Sequence, residues 1–343
     1  MSEQPSFLRV LAGEKLPVPP IWLMRQAGRY LPEYRELRAR TRNFLEFCYA
    51  PSLACEATLQ PIRRFGFDAS IIFSDILVLP DALGRKVWFV ENEGPRLEPM
   101  SAADVAHLDA SDLVARLSPV YEGIERTRSA LPGNVPLIGF CGAPWTLATY
   151  MIKGAGGDKT AVRTFAHQHS DAMAALLDVL ADTCARHLAN QVRAGVQAVQ
   201  IFESWAEGLD SALFERVVIK PHQRLVAAFR AECPDTPIIA FPRAAGGHVR
   251  TFLKAVPVTA IGIDYAFPDE QLSEFLPAGL PAQGKLDPAV LVAGGAALDA
   301  AVDETLLAFA DRPHIFNLGH GIQQNTPIEH VDRMIKRVRE RAS

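Results

Sequence analysis

Arg25 and Arg29 leave the end of the apolar run "PIWLM" (20–24) with Gly28 between them, and Asp75 stands inside the apolar stretch "IIFSDILVLP" (71–80). Residues of these types in this company point to a definite chemistry. A guanidinium is a planar fork of N–H donors that matches carboxylates and phosphates in pairs, so two of them beside one strand end imply an anionic ligand. A carboxyl group among apolar neighbours implies a partner that donates N–H bonds or carries positive charge. Apolar surroundings raise its pKa and nearby arginines lower it, and at this level the balance stays open. Asp75 could equally cap the helix that follows it. Gly28 removes a side chain where backbone has to come close.

Further polar residues follow other apolar runs: Ser204 after "AVQIF" (198–202), Asp264 and Tyr265 at the end of "AIGID" (260–264), and His320 after "HIFNLG" (314–319). The stretch "GFCGAPWTLATY" (139–150) leads to Tyr150. Each has a plainer reading as well, Tyr150 as a core residue with a bonded hydroxyl and His320 as a loop histidine between Gly319 and Gly321. Arg35, Arg38, Arg40 and Arg42 alternate with Glu33 and Glu36, the pattern of a solvated helix face.

Three motifs fail on inspection. "GAGGDKT" (154–160) has Asp158 where a phosphate loop needs glycine, and it reads as a mobile loop. In "HQH" (167–169) the histidines are two apart on a helix and diverge, a poor metal pair. Arg63 and Arg64 read as a helix-end charge pair.

Residues that leave strand ends together need a scaffold that gathers strand ends. Eight short apolar runs supply one: "PIWLM", "SIIFS" (70–74), "VPLIGF" (135–140), "AVQIF", "PIIAF" (237–241), "AIGID", "PAQGKLD" (281–287) and "HIFNLG". Between most of them lie helical patterns, the longest running from 160 to Gly195. Regular alternation of buried strands and helices means a parallel sheet, and eight units predict an α/β fold of the (β/α)₈ barrel type, whose chemistry gathers at the C-terminal strand ends, over the alternative of a doubly wound open sheet, which should offer a Gly-rich turn after "PIWLM". The two alternating runs of "RKVWFVENEGPRLE" (85–98) predict a small β-hairpin insertion around Glu93–Gly94. No repeat or linker divides the 343 residues, which predicts a single domain.

Composition narrows the function classes. A formal net charge of −4 argues against a dedicated nucleic-acid binder. No apolar run reaches membrane-span length and the first twenty residues lack the apolar core of a signal peptide, so a cytoplasmic protein with no membrane partner is expected. The five scattered cysteines, Cys48, Cys55, Cys141, Cys184 and Cys233, are expected to be free thiols.

"PPIWLMRQAGRYLPEYRELR" (19–38) and "GFCGAPWTLATYMIKG" (139–154) resemble the two signature segments of the uroporphyrinogen decarboxylase family. "IIFSDILVLPDALG" (71–84), "FESWA" (202–206), "DYAFP" (264–268), "GKLDP" (284–288) and "NLGHGI" (317–322) fall in that family's order, and the resemblance spans about residues 7 to 335. It implies a (β/α)₈ barrel, usually a homodimer, that decarboxylates the four acetate arms of uroporphyrinogen III to give coproporphyrinogen III with no cofactor and no metal. By position it implies a substrate site of Arg25, Gln26, Ala27, Gly28, Arg29, Asp75, Tyr150, Ser204 and His320, with Asp75 and Arg25 closest to the chemistry. Two positions depart from the family pattern: Lys285 stands where Asn is common and Glu207 where Gly is usual.

Two other readings share these residues. Zinc- and cobamide-dependent methyltransferases of the same fold use an H-x-C ligand pair, and no histidine here has a cysteine two residues later. A tetrapyrrole-binding protein without catalysis could use the same arginines, but a desolvated carboxylate is costly without a purpose, which favours the enzyme.

Overall fold

Seven of the eight apolar runs pair side by side as parallel strands in the computed structural model, which describes residues 4–90 and 94–341. In chain order the strands are β1 (Ser70–Ile71), β2 (Val87–Val90), β3 (Gly94–Leu97), β4 (Leu137–Gly142), β5 (Ala198–Glu203), β6 (Ile238–Pro242), β7 (Ala260–Gly262), β8 (Ala282–Leu286) and β9 (His314–Leu318). The large sheet has the order β1-β4-β5-β6-β7-β8-β9, with helices in the connections, while β2 and β3 pair antiparallel as a separate ribbon. The residues that would turn that ribbon, 91–93, lie outside the described residues.

The eighth run departs from expectation. "PIWLM" contributes one parallel bridge, Ile21 to Phe316 on β9, rather than a full strand. The Phe316 N–H donates to Pro20 O at 2.9 Å, and on the other side the Asp68 N–H donates to Ile21 O at 2.9 Å, so the segment lies between the two outer strands of the sheet. Pairing stops there because Met24 gives its N–H to the Asn317 side chain at 3.0 Å and Arg25 turns into the left-handed region at φ +63°. The run at 70–74 is also shorter than expected, since the Phe73 N–H goes to Thr58 Oγ1 at 2.9 Å instead of to a strand. The long helical pattern divides at His169 (φ −126°, ψ 53°) into Thr160–Gln168 and Ser170–Arg193.

Alternation along the strands separates two apolar groups. Trp22, Met24, Ile71, Ile138, Ala198, Ile239, Phe241 and Ile315 pack on one side of the curled sheet together with Phe7, Val10 and Leu11 of the N-terminal helix Ser6–Leu11. The larger group lies between sheet and helices and includes Val199, Ile201, Leu318 and the fully buried Trp145. Polar groups inside are bonded to one another: Trp22 Nε1 donates to Gln283 Oε1 at 2.9 Å, and Gln283 Nε2 to Gln200 Oε1 at 3.1 Å. Each such link contributes about 1 kcal/mol, and losing one partner costs more because the other is left dry.

Three surface expectations can be placed. Arg63 and Arg64 sit in the last turn of Pro51–Phe65, paired with Glu56 and Glu33. Arg35 does more than decorate its helix: Nη1 donates to Arg29 O at 2.7 Å and to Tyr30 O, clamping the loop that carries Arg29. Side-chain contacts reach the "GAGGDKT" segment. Lys153 Nζ donates to Gly156 O at 2.7 Å, and Lys159 pairs with Glu207 while lying 4.0 Å over the Trp205 ring. All five cysteines are free.

Candidate active site

The loop after Met24 is built to hold arginines at the mouth of the sheet. Gln26 is fully buried; its side-chain oxygen accepts from the Leu23 N–H at 3.1 Å and its amide donates to Ala69 O at 3.4 Å. Tyr30 OH donates to Gln26 O at 2.8 Å. Gly28 lies so close to the turn that a Cβ there would meet Arg25 O at 2.9 Å. Ala27 is half-buried against the core, whereas Arg25 and Arg29 are exposed and take no ion pair or side-chain hydrogen bond from the described residues. The structure therefore separates the stretch from Arg25 to Arg29 into two presented cations and a buried glutamine that shapes their loop. A non-glycine residue in the left-handed region costs about 1–2 kcal/mol, and such strain concentrates at functional positions.

Asp75 follows the short β1. Its Oδ1 accepts from the Leu77 N–H at 2.8 Å just before the helix Val78–Ala82, and Oδ2 takes no hydrogen bond from the described residues. The bond holds the turn ahead of the helix and does not cap it, since the N-cap position is Leu77 and the helix has no side-chain cap. Crowding by its neighbours raises the carboxyl above the usual range, against the pull of the Leu77 N–H and the Arg25 charge. No direct ion pair joins Asp75 to Arg25 among the described residues, although the Arg25 charge acts on the carboxyl.

Tyr150, on the helix Pro144–Lys153, is half-buried, its ring 6.0 Å from that of Trp205. Burial pushes its hydroxyl up to about 12, Asp75 adds to the rise and Arg25 opposes it. His320, beyond β9, is pushed down to about 4 by burial first, then by the charges of Arg25 and Arg243. It is therefore a neutral imidazole at neutral pH. The charge of Arg25 thus reaches Asp75, Tyr150 and His320, which come from three other stretches of sequence, and the charge of Asp75 reaches Tyr150.

Ser204 is reached through a different set of contacts. Its N–H donates to Thr146 Oγ1 at 2.8 Å, and its carbonyl accepts from Arg243 Nη1 at 2.9 Å. The neighbouring Glu203 is fully buried; it accepts from the Thr146 hydroxyl, and its second oxygen has no partner. Burial pushes its carboxyl up to about 8. Arg243 and Glu203 escape notice in the sequence, although both sit at strand ends: Glu203 directly follows "AVQIF" and Arg243 stands one residue beyond "PIIAF", after Pro242. Asp264, noticed there, is structural in its contacts: its carboxylate accepts the N–H groups of Ala244 at 2.9 Å and Ala266 at 3.0 Å.

The two departures from the family pattern are both paired. Glu207 binds Lys159 and lies 3.7 Å from Arg243, and Lys285 binds Asp269 while donating to Phe267 O at 2.5 Å.

These buried groups set a pH dependence of stability. His187 is pushed down to about 3, and His222, His314 and His320 to about 4, in each case chiefly by burial. Unfolded histidine titrates near 6.5, so the stability these four contribute is complete above that pH. It is lost as pH falls toward the folded values, at roughly 1.4 kcal/mol per pH unit for each. Glu203 has the opposite sign: its contribution is complete below the ordinary carboxylate pKa and is lost as pH rises toward about 8. Urea unfolding of Glu203→Gln and the parent from pH 5 to 8 should show the variant gaining relative stability as pH rises; parallel profiles would exclude this origin.

Among the described residues no three or more His, Cys, Asp and Glu side chains group as a metal site, and no helix is long and apolar enough to cross a membrane. The family profile described as Uroporphyrinogen decarboxylase (URO-D) matches residues 2–341. The chain is 51% identical over 336 residues to the uroporphyrinogen decarboxylase of Maricaulis maris, covering 98% of this chain and 97% of that one. It is 52% identical to that of Mesorhizobium japonicum, with 98% of each chain covered. Among solved structures, a methyltransferase from Methanosarcina mazei superposes with a TM-score of 0.81 at 18% identity, covering 98% of this chain and 99% of the other, a likeness of fold.

Proposed function

The chain belongs to the uroporphyrinogen decarboxylase family, and on that premise we propose how its mouth residues carry out the decarboxylation step of porphyrin biosynthesis. As a carboxy-lyase it must break the bond between an acetate methylene and its carboxylate, leaving an electron pair that needs a destination. Protonation of the neighbouring pyrrole at its α-carbon makes an iminium-like ring that accepts the pair as carbon dioxide leaves. The resulting exocyclic methylene takes a proton to become a methyl group and the α-carbon gives its proton up, so each arm consumes one proton and releases one carbon dioxide.

In this reading Asp75 accepts pyrrole N–H bonds through the oxygen that Leu77 leaves open and stabilises the cation as it forms. Preorganised charge in a site poor in water commonly supplies several kcal/mol to such a step. Arg25 and Arg29 bind the carboxylate arms. An arginine is a poor general acid, so Arg25 acts by holding a water or a substrate carboxyl that delivers the proton. Tyr150, Ser204 and neutral His320 position the macrocycle, and Gln26, Ala27 and Gly28 shape the arginine loop. The observation that carries the proposal is an Asp75 carboxyl with one unbonded oxygen inside the field of Arg25.

The finer parts of the reading belong with it. The bridge at Ile21 makes an eighth staggered unit between β9 and β1, which supports a one-domain (β/α)₈ barrel with β2 and β3 as an inserted hairpin. A cytoplasmic homodimer acting on uroporphyrinogen III is the assembly and substrate we propose. Anaerobic incubation with reduced uroporphyrinogen III, followed by oxidation and chromatography, should show porphyrins with successively fewer carboxyls, ending at the coproporphyrin level. Unchanged starting material would overturn the proposal.

A further inference from the structure

We propose that Arg243 is a third carboxylate-binding arginine of the site, placed at the end of β6 and held ready by Ser204. The inference rests on the decarboxylase reading, because it assigns the residue to an anionic arm of that substrate.

Three observations converge on it. Arg243 is the first residue beyond β6, at the strand end where a fold of this kind places its chemistry. The backbone beneath it is clamped: its N–H donates to Glu203 O at 2.9 Å, and the next residue, Ala244, is held by Asp264 at 2.9 Å in the left-handed region at φ +57°. Arg25 and Ala244 are the two non-glycine residues with such a backbone among the described residues, and each lies at or beside a cation of the mouth. Strain of this kind persists only where surrounding contacts over-determine it.

The side chain is oriented but not saturated. Nη1 donates to Ser204 O at 2.9 Å and lies 3.7 Å from a Glu207 oxygen, too long for a hydrogen bond, and the remaining guanidinium donors have no partner among the described residues. Glu207 is itself engaged by Lys159. Arg243 is thus a partly buried cation with a fixed direction, an incomplete donor set and a weak counter-ion. Its charge and that of Arg25 both act on His320.

Kinetics on the purified full chain with uroporphyrinogen III tests this. Removing a charge-assisted contact to a substrate carboxylate should raise KM of Arg243→Gln about ten- to a hundredfold, with kcat within about threefold of the parent. Arg243→Lys, which keeps the charge and loses the fork, should bring KM most of the way back. The parent KM should rise with added salt, and Arg243→Gln should lose part of that dependence. An unmoved KM in an active Arg243→Gln overturns the inference, as does equal damage to kcat and KM in both variants. If Arg243→Gln does not fold, Glu207→Gln decides: with the competing carboxylate neutralised KM should fall severalfold, and an unchanged or higher KM overturns the inference. An inactive parent chain would instead overturn the decarboxylase reading beneath it, and the inference with it.

Discussion

Asp75→Asn should lose about two to three orders of magnitude in kcat while its resistance to urea at pH 7 stays equal to the parent's or rises. The rate loss follows from removing a preorganised negative charge from beside a developing cation, an effect of about 3–4 kcal/mol where it has been isolated in other enzymes. The stability result comes from the environment of the same group. Crowding raises the folded carboxyl above its unfolded value, so its contribution to stability is complete below about pH 4 and is lost as pH rises through the folded pKa. At pH 7 the carboxyl therefore costs stability relative to the unfolded chain, and the uncharged amide carries no such cost. Asparagine can still accept the Leu77 N–H through its amide oxygen, so the turn before Val78–Ala82 is kept. A variant that turns over at the normal rate would remove Asp75 from the mechanism; one that is inactive but unfolded would show that its main role is local structure.

Gly321→Ala should cost about ten- to a hundredfold in kcat/KM with little change in stability, because it displaces Arg25 without altering any charge. A Cβ at 321 would run into Arg25 Cδ and lie 2.9 Å from both Cγ and Nε. These are side-chain atoms that can swing aside, and the backbone of Gly321 has no positive φ, so alanine fits the fold. What moves is the guanidinium, and a displacement of about 1 Å in a positioning group is enough for a loss of this size. Gly319→Ala makes the contrasting control. Its Cβ would lie 2.8 Å from the backbone atoms Asp264 C and Tyr265 Cα, which cannot retreat, so stability should fall as well. In an Arg25→Gln background the Gly321→Ala effect should largely vanish, since residues that act through one group are not additive. Persistence of the full effect there would show that Gly321 acts by some other route.

Much of the fold could be read from local pattern. Strands buried on both faces are continuous apolar runs, and seven of the eight such runs are hydrogen-bonded strands in the expected order. The exception, "PIWLM", has the strand composition but a single bridge, because the partners of its backbone lie about 45 and 295 residues away at Asp68 and Phe316, and composition does not report them. The break at His169 was invisible for a similar reason: the helical spacing of apolar residues continues across it.

At the site, residue type and position after an apolar run were enough to raise Arg25, Arg29, Asp75, Tyr150, Ser204 and His320, because carboxylate binding and charge stabilisation need side chains that few other positions offer. Tertiary structure alone decided what each could do. It gave one oxygen of Asp75 to the Leu77 N–H and left the other without a hydrogen bond among the described residues, buried Gln26 as support for the arginine loop, and lowered the pKa of His320. It also brought forward Arg243, one arginine among many in the sequence, by clamping its backbone and leaving its donors unfilled. The physical reason is range: periodicity and side-chain chemistry act over a few residues, whereas desolvation, electric fields and hydrogen-bond saturation belong to neighbours that only the closed chain supplies.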